Sequence, residues 1–158
     1  MTDKLHTDLL QGFAPVVAAD TRLLVLGSFP GARSLEQQQY YGHPQNHFWK
    51  ILGALWGEDL LALPYAQRCA RAVAHGVGLW DVYARCERAG SLDSAIRNAE
   101  LNGGESWRHQ GAVAQAFGAQ TGLVFYKLPS TSPANASWSF ARKLDAWREV
   151  LVRHGVAR

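Results

Sequence analysis

Short apolar runs alternate along the chain with stretches in which apolar residues recur at the helical period. Three apolar runs next to glycine predict buried strands of a parallel sheet, at residues 22–27 (RLLVLG), 78–83 (GLWDVY) and 122–128 (GLVFYKL). Apolar positions spaced by three and four residues predict helices at residues 46–56, 64–75, 107–117 and 138–154. We therefore expect one α/β domain, residues 1–158, folded as a three-layer α/β/α sandwich with a mostly parallel central sheet of about four strands.

The loops that follow the strands are the expected location of a site. Ligands of such sheets bind where loops leave the carboxyl ends of the strands. Here these loops are residues 28–44, the connection after Tyr83, and residues 129–136. The polar, glycine-containing stretch 84–104 has no clear periodicity and receives no assignment.

The composition is that of a globular protein with a small positive charge. Of the 158 residues, 47% are hydrophobic and 18% are charged, and the net charge of +3 is compatible with a phosphate-rich partner. Two cysteines, Cys69 and Cys86, are too few for an iron–sulfur cluster and do not indicate a disulfide framework. Residues 1–10 lack the apolar core of a signal peptide, and no segment predicts a membrane span, so we expect a cytoplasmic protein without a membrane partner.

The first candidate site comes directly after the first predicted strand. It consists of Gly27, Ser28, Phe29, Pro30 and Gly31. Glycine and proline favour a tight turn whose backbone can approach a ligand closely. When the pentapeptide is considered alone, an ordinary strand-to-loop turn explains it at least as well as a ligand-binding turn does.

The second candidate site is the segment 40–49 (YYGHPQNHFW). Tyr40 and Tyr41 lie in a polar loop that is unfavourable for core packing, and a flat aromatic ring suits stacking on a nucleobase. His43 and Asn46 precede a predicted helix, where Asn46 has the alternative role of capping its first turn.

The third candidate site follows the third predicted strand. Small hydroxyl residues and prolines predict a rigid loop with exposed backbone amides, suited to phosphate contacts and to a wedge beside a duplex. The residues concerned are Ser130, Thr131, Ser132, Pro133, Ala134 and Asn135. The alternative is a plain connection between a strand and the last helix.

Other chemistries lack their sequence patterns. No G-x-S-x-G elbow surrounds Ser130 or Ser132, which argues against a serine hydrolase. The six histidines do not form an H-E-x-x-H motif, and neither a G-x-G-x-x-G nor a Walker loop is present. We expect neither a metal nor another cofactor.

Four motifs in the same order resemble the DNA-deoxyinosine (hypoxanthine-DNA) glycosylases of the uracil-DNA glycosylase superfamily. They are GSFPG at 27–31, YYGHPQNHFW at 40–49, GLWDV at 78–82 and LPSTSPANASW at 128–138. The resemblance extends from about Leu23 to Trp147. It implies an enzyme that hydrolyses the N-glycosidic bond of deaminated bases in DNA, chiefly hypoxanthine, during base excision repair.

The resemblance also implies roles for individual residues. Phe29 and Leu128 stand where uracil-excising branches place polar catalytic residues, whereas in the hypoxanthine branch the task passes to the asparagine that is Asn46 here. Tyr41 corresponds to the residue that stacks on the extruded base. His43 is the second catalytic candidate and Asp81 a further substrate-binding candidate. The family's additional strand and asparagine-glycine turn are shortened in this chain to residues 98–104.

Alternative functions remain open at this point. Because both usual catalytic positions are replaced, one alternative is a non-catalytic module that binds damaged DNA. Others are a glycosylase acting mainly on uracil and a hydrolase of free nucleosides. No lysine is placed as a Schiff-base nucleophile, so we expect a monofunctional, monomeric enzyme whose partner is DNA containing deaminated bases.

Overall fold

The computed structural model describes residues 8–102 and 124–158, which form a mixed α/β fold. Its strands are β1 (Leu9–Gln11), β2 (Leu23–Gly27), β3 (Val77–Asp81), β4 (Tyr83–Glu87) and β5 (Arg97–Leu101). Its α-helices are α1 (Ala32–Gln37), α2 (Phe48–Trp56), α3 (Tyr65–Ala74) and α4 (Phe140–Arg153). Short 3-10 helices cover Leu60–Ala62 and Asp93–Ala95.

The strands β2 and β3 form a parallel pair. Leu23 pairs with Val77 at one end, and Gly27 pairs with Asp81 at the other. Nearly all of β3 is buried, as is usual for a parallel strand. The carboxyl ends of both strands therefore meet at one edge, and the GSFPG loop departs from that edge.

The strands β1, β4 and β5 form a separate antiparallel sheet, in the order β1–β4–β5. Only Val82 separates β3 from β4, so the chain passes directly from the parallel pair into this sheet. The connection between β4 and β5 reaches the GSFPG loop, since the hydroxyl of Ser91 accepts the backbone N–H of Ala32 at 2.9 Å. The antiparallel sheet therefore supports the loop that follows β2.

The hydrophobic core packs around the first long helix. Helix α2 buries Phe48, Trp49, Ile51, Leu52 and Leu55. These side chains belong to one cluster with Val77 and Leu79 of β3 and with Trp147 and Leu151 of α4. Burying each such side chain contributes roughly 1.5–3 kcal/mol, so the position of α2 is strongly determined.

Most of the predicted elements are confirmed, with shifted ends. The strands predicted at 22–27 and 78–83 correspond to β2 and β3, although the second one ends at Asp81. The helices predicted at 46–56, 64–75 and 138–154 correspond to α2, α3 and α4. The helix predicted at 107–117 lies outside the described residues.

The predicted sheet is not confirmed in its finer form. Among the described residues, parallel pairing is limited to β2 and β3, while the other three strands are antiparallel. The unassigned stretch 84–104 contains most of β4 and all of β5. Four of the five β5 residues are exposed, and charged residues in both strands weaken the alternating pattern. Of the strand predicted at 122–128, the described residues 124–128 are not in a strand. Helix α1 also interrupts the stretch predicted as a loop at 28–44.

The prediction that Tyr40 is unsuitable for the core is wrong. Its ring is buried, and its hydroxyl donates a hydrogen bond to the carbonyl of Ala14 at 2.9 Å. Its own carbonyl accepts the indole N–H of Trp49 at 3.1 Å. Because these partners satisfy its polar groups, the tyrosine packs like an apolar side chain.

No helix in the described parts of the chain is long and apolar enough to span a bilayer.

Candidate active site

Gly27 and Asp81 lie side by side where the two parallel strands end. A Cβ atom on residue 27 would overlap with Oδ1 of Asp81, well inside the closest approach that real atoms tolerate. The same Cβ would be 3.7 Å from the hydroxyl of Tyr41. The missing side chain of Gly27 therefore allows the carboxyl group and the tyrosine to approach this strand end.

Asp81 is a buried carboxyl group with an unsatisfied oxygen. The residue is 5% exposed, and Oδ2 has no hydrogen-bond partner among the described residues. Burial raises the pKa of this carboxyl group from 3.8 to about 7; the negative charge of Asp93 adds to the increase, and Arg88 opposes it. Buried, unpaired groups of this kind are frequent at functional sites.

The GSFPG loop is anchored from several sides. The carbonyl of Gly27 accepts the N–H of Val82 at 2.8 Å, and the carbonyl of Ser28 accepts the N–H of Tyr83 at 3.1 Å. The hydroxyl of Ser28 donates to Oδ2 of Asp93 at 2.9 Å. These contacts connect the loop to the start of β4 and to the β4–β5 connection.

Arg88 holds the same loop through contacts with its backbone and with the ring of Phe29. Its Nη2 donates to the carbonyl of Pro30, its Nε donates to the carbonyl of Gly90 at 2.9 Å, and the guanidinium lies 5.2 Å from the ring centre of Phe29. Both Arg88 and Phe29 are buried. Phe29 therefore points its ring into the protein, and any contact of this residue with a ligand must come from its backbone.

Asn46 is held at the first turn of α2 by its own side chain. Its Oδ1 accepts the backbone N–H of Phe48, the first residue of the helix, at 2.9 Å. Its backbone N–H donates to the carbonyl of His43 at 2.9 Å. The amide nitrogen Nδ2 makes no hydrogen bond with any described residue. One end of the amide is thus fixed, and the other end is available.

Tyr41 connects this turn to the carboxyl end of the sheet. Its ring stacks on that of Phe48, with 3.9 Å between centroids and 21° between planes. The backbone φ angle is 56°, a left-handed conformation that costs a non-glycine residue on the order of 1 kcal/mol. Burial, then the nearby charge of Asp81, raises the pKa of its hydroxyl, so the tyrosine stays neutral.

The loop 129–136 is braced by its own polar side chains. The hydroxyl of Ser130 accepts the N–H of Ser132, and the hydroxyl of Ser132 accepts the N–H of Ala134, both at 3.2 Å. The side chain of Asn135 donates to the carbonyl of Ser130 at 3.0 Å. Trp147 of α4 donates to the carbonyl of Pro129 at 3.1 Å. The loop is therefore internally stabilised, and three of its backbone N–H groups, those of Ser132, Ala134 and Asn135, already donate hydrogen bonds.

A backbone hydrogen bond joins this loop to the Asn46 turn. The N–H of His47 donates to the carbonyl of Thr131 at 3.0 Å. The second and third candidate sites, which are 84 positions apart from residue 47 to residue 131, are thereby in direct contact. Together with the Gly27–Asp81 edge, they form one continuous region at the end of the parallel pair.

Comparison with known proteins identifies the family. The sequence model described as "Uracil DNA glycosylase superfamily" matches residues 14–151. The chain belongs to this superfamily. The resemblance inferred from the four motifs is thereby confirmed.

Three relatives place the chain within the superfamily. A protein from Methanosarcina barkeri named Hypoxanthine DNA glycosylase is 45% identical over 92 residues, which are 58% of each of the two chains. A protein of the same name from Methanosarcina acetivorans is 32% identical over 161 residues, covering 91% of this chain and 98% of the relative. The solution NMR structure of a Methanosarcina acetivorans protein assigned to the uracil DNA glycosylases superimposes with a TM-score of 0.72 at 29% identity, covering 90% of this chain and 99% of that one.

Within this superfamily member, the predicted site residues have different surroundings. Asp81, the hydroxyl of Tyr41 and the backbone of the GSFPG loop lie at or near the carboxyl ends of β2 and β3. Asn46 is one contact further away, bound to Phe48, on which Tyr41 stacks. His43 faces its own loop, since its Nδ1 accepts the N–H of Gln45 at 3.1 Å. Thr131 is buried. The catalytic, substrate-binding and DNA-binding roles of these residues stay predictions.

Two buried cations of this glycosylase fold were missed by the sequence analysis. Arg88 lies in the stretch that received no assignment, and no sequence signal distinguishes it there. Lys143 is 1% exposed. A signal was available for Lys143, because it lies three residues after Phe140 and four before Trp147, on the apolar face of α4.

Among the described residues, no group of three or more His, Cys, Asp or Glu side chains could hold a metal ion.

Proposed function

We propose that the chain is a monofunctional DNA glycosylase that hydrolyses the N-glycosidic bond of deoxyinosine, releases hypoxanthine and leaves an abasic site. The observation that carries this proposal is the fixed amide of Asn46, whose Oδ1 is bound to the N–H of Phe48 while its Nδ2 has no partner among the described residues. Phe48 in turn stacks on Tyr41, whose hydroxyl lies near Gly27 at the end of β2. The names of the two Methanosarcina relatives, both Hypoxanthine DNA glycosylase, support the same activity.

Asn46 orients the attacking water in this proposal. A carbonyl oxygen has two lone pairs, and the N–H of Phe48 uses only one of them. The second lone pair can accept a hydrogen bond from water, while Nδ2 presents its donors to the site. A preorganised polar group of this kind is worth roughly 2.7–4 kcal/mol in the transition state.

Asp81 contributes through its charge. Bond cleavage develops positive charge on the sugar, and a carboxylate in a poorly solvated position stabilises such a charge through space. With a pKa of about 7, Asp81 is ionised in an increasing fraction of molecules as the pH rises above neutrality. Its carboxylate therefore favours the reaction most on the alkaline side of neutrality.

The extruded purine is held between Tyr41 and the backbone of the GSFPG loop. One face of the Tyr41 ring stacks on Phe48, and the opposite face is the one proposed to contact the base. The backbone N–H and C=O of Phe29 have no hydrogen-bond partner within residues 8–102 and 124–158, so they offer one donor and one acceptor to the edge of the base.

The DNA backbone binds along loop 130–135 and the start of α4. Arg142, in the first turn of α4, is exposed, and its guanidinium lies 4.2 Å from the ring centre of Trp138. Pro133 and its small neighbours occupy the gap left by the extruded nucleotide. The partner is DNA containing deaminated bases, and the enzyme acts as a monomer.

The three-layer sandwich is part of the same proposal. Leu128 packs against the core, and the hydroxyl of Tyr126 bonds to His154 at 2.9 Å, so the segment lies along α4. Residues 124–128 are not themselves in a strand, so this packing supports the layered arrangement and not a further strand.

A second candidate is a module that binds deaminated DNA without cleaving it. The observation that favours this candidate is the hydrogen bond from the N–H of Phe48 to Asn46, because it gives the asparagine a structural role as well. The two candidates differ in whether an abasic site forms.

The deciding experiment uses duplexes with a single inosine, uracil, xanthine or ethenoadenine. We expect release of hypoxanthine from the inosine duplex and strand cleavage only after alkali, because no lyase step is proposed. The matched variant is Asn46→Ser, whose hydroxyl still accepts the N–H of residue 48. Its free energy of unfolding should stay within about 0.5 kcal/mol of the parent chain, while its rate should fall about 100-fold or more. DNA binding without base release would instead establish the binding module.

A further inference from the structure

Lys143 is buried without an acidic partner. Its ammonium contacts the carbonyl of Ser132 at 3.3 Å and Nδ1 of His47 at 3.5 Å, both at the long end of hydrogen-bonding distance. It forms no ion pair with any described carboxylate. Burying a charge costs free energy unless hydrogen bonds or an opposite charge compensate for the lost hydration. Packing alone therefore does not explain a lysine at this position.

The contacts of Lys143 join two parts of the site. Ser132 belongs to the loop proposed to contact DNA, and His47 directly follows Asn46. His47 also donates its backbone N–H to Thr131 and packs the edge of its ring against Phe140, with 5.3 Å between centroids. One side chain of α4 thus touches both the loop and the turn that carries the amide.

The contact with His47 requires a neutral imidazole. An ammonium group only donates, so Nδ1 of His47 must accept and its ring proton must be on Nε2. Burial lowers the pKa of His47, and the positive charges of Lys143 and Lys50 lower it further. No carboxylate among the described residues counteracts these effects. Protonation of His47 would place two cations against each other and weaken the connection.

We infer that Lys143 is a positioning residue that holds the DNA-contact loop against the Asn46 turn through Ser132 and neutral His47. This inference rests on the proposed glycosylase function, since it concerns the alignment of the amide with bound DNA. The connection controls the geometry of the chemical step more than the strength of DNA binding. Misplacement by about 1 Å far from the reacting atoms is sufficient to cost on the order of 100-fold in rate.

The first test is Lys143→Met, which keeps the length of the side chain and removes its charge. We expect kcat on an inosine duplex to fall about 10- to 100-fold, with KM changed less than about threefold. Thermal stability should not decrease, because an unneutralised charge has left the interior. A folded Lys143→Met protein with the parent kcat would overturn the inference.

A matched pair at His47 tests the contact from the other side. His47→Asn places an amide oxygen near the position of Nδ1, so it keeps the acceptor but cannot titrate. His47→Leu removes the acceptor. We expect His47→Asn to retain most of the activity and to lose part of the decline in kcat at acidic pH, while His47→Leu resembles Lys143→Met. Equal activity of the two His47 variants at all pH values would contradict the proposed connection.

A third measurement is independent of catalysis. NMR titration of the His47 ring should give a pKa below 6.5 in the parent chain and a higher pKa in Lys143→Met. An unshifted or raised pKa in the parent chain would refute the contact with the ammonium. If the titration succeeds but no base is released from any duplex, the proposed function fails while the connection itself remains.

Discussion

Oδ1 of Asp81 occupies the space that a side chain on Gly27 would need. The two residues are register partners at the carboxyl ends of β3 and β2, and a Cβ on residue 27 would overlap with the carboxyl oxygen. The glycine thus allows a buried carboxyl group to lie beside the backbone of the GSFPG loop. This end of the sheet and the surface proposed to bind DNA are where substitutions should have the clearest effects.

Gly27→Ala should destabilise the protein and reduce base release. The new methyl group must displace Asp81 or the strand, and overpacking of this kind costs roughly 1–3 kcal/mol. Chemical denaturation and the rate on an inosine duplex measure the two effects. The control is Gly31→Ala in the same loop, where a Cβ would be 3.6 Å from its nearest neighbour. Similar losses in both variants would mean that the contact with Asp81 is not the cause.

Asp81→Asn should remove a pH-dependent loss of stability. The folded-state pKa of Asp81, about 7, lies above its ordinary value of 3.8, so folding favours the protonated form. The contribution of protonated Asp81 to the stability of the folded protein is fully present below the ordinary pKa of 3.8 and is lost as the pH rises through 7. The parent chain should lose roughly 4 kcal/mol relative to Asp81→Asn between pH 4 and pH 8. Urea unfolding at both pH values tests this prediction. If the difference in free energy of unfolding between parent and variant is the same at pH 4 and pH 8, the pKa of Asp81 is not raised to about 7 in the folded protein.

The same substitution should affect catalysis with the opposite pH trend. The asparagine side chain has no charge, so the variant loses the carboxylate that we propose to stabilise the sugar. We expect the rate ratio of parent to Asp81→Asn to increase from about pH 6 to about pH 8, as the parent carboxyl group ionises. A ratio that is independent of pH would leave Asp81 without an electrostatic role in the reaction.

Tyr41→Phe and Tyr41→Leu separate the ring from the hydroxyl. Phenylalanine keeps a flat ring that can stack on both Phe48 and a base, whereas leucine keeps apolar volume without stacking. Base stacking on an aromatic side chain is worth about 1–3 kcal/mol, so Tyr41→Leu should lose about tenfold or more in single-turnover rate. Tyr41→Phe should stay within about threefold of the parent rate. Equal rates for both variants would exclude stacking by this residue.

Arg142→Gln should weaken DNA binding in a salt-dependent way. Each lost phosphate contact lowers the slope of log affinity against log salt by about 1. The control is Arg148→Gln, which removes the same charge from an exposed position on the same helix, where Arg148 pairs with Asp145. Titrations of duplex DNA at several salt concentrations measure both slopes. If both variants show the same slope of log affinity against log salt concentration, Arg142 does not contact a DNA phosphate.

Local sequence patterns were sufficient for the elements that are strongly apolar. The run at 22–27 and the apolar stripe of α2 predict their structures because strand and helix periodicities are imposed by burial along one element. The antiparallel pairing of β4 and β5 was missed, since β5 is almost entirely exposed and charged residues interrupt the apolar positions of β4. The four motifs also predicted the family, which the match over residues 14–151 confirms.

The sequence by itself therefore determined the main elements, the family and the segments in which the site is expected. Only the tertiary structure decided that Tyr40 is in the core while Tyr41 stacks on Phe48, that Phe29 points inward, and that Lys143 contacts the loop 129–136. The physical reason is that the burial of a polar side chain depends on partners far along the chain. Lys143 and His47 are 96 positions apart, so their contact arises only when α4 packs against the start of α2.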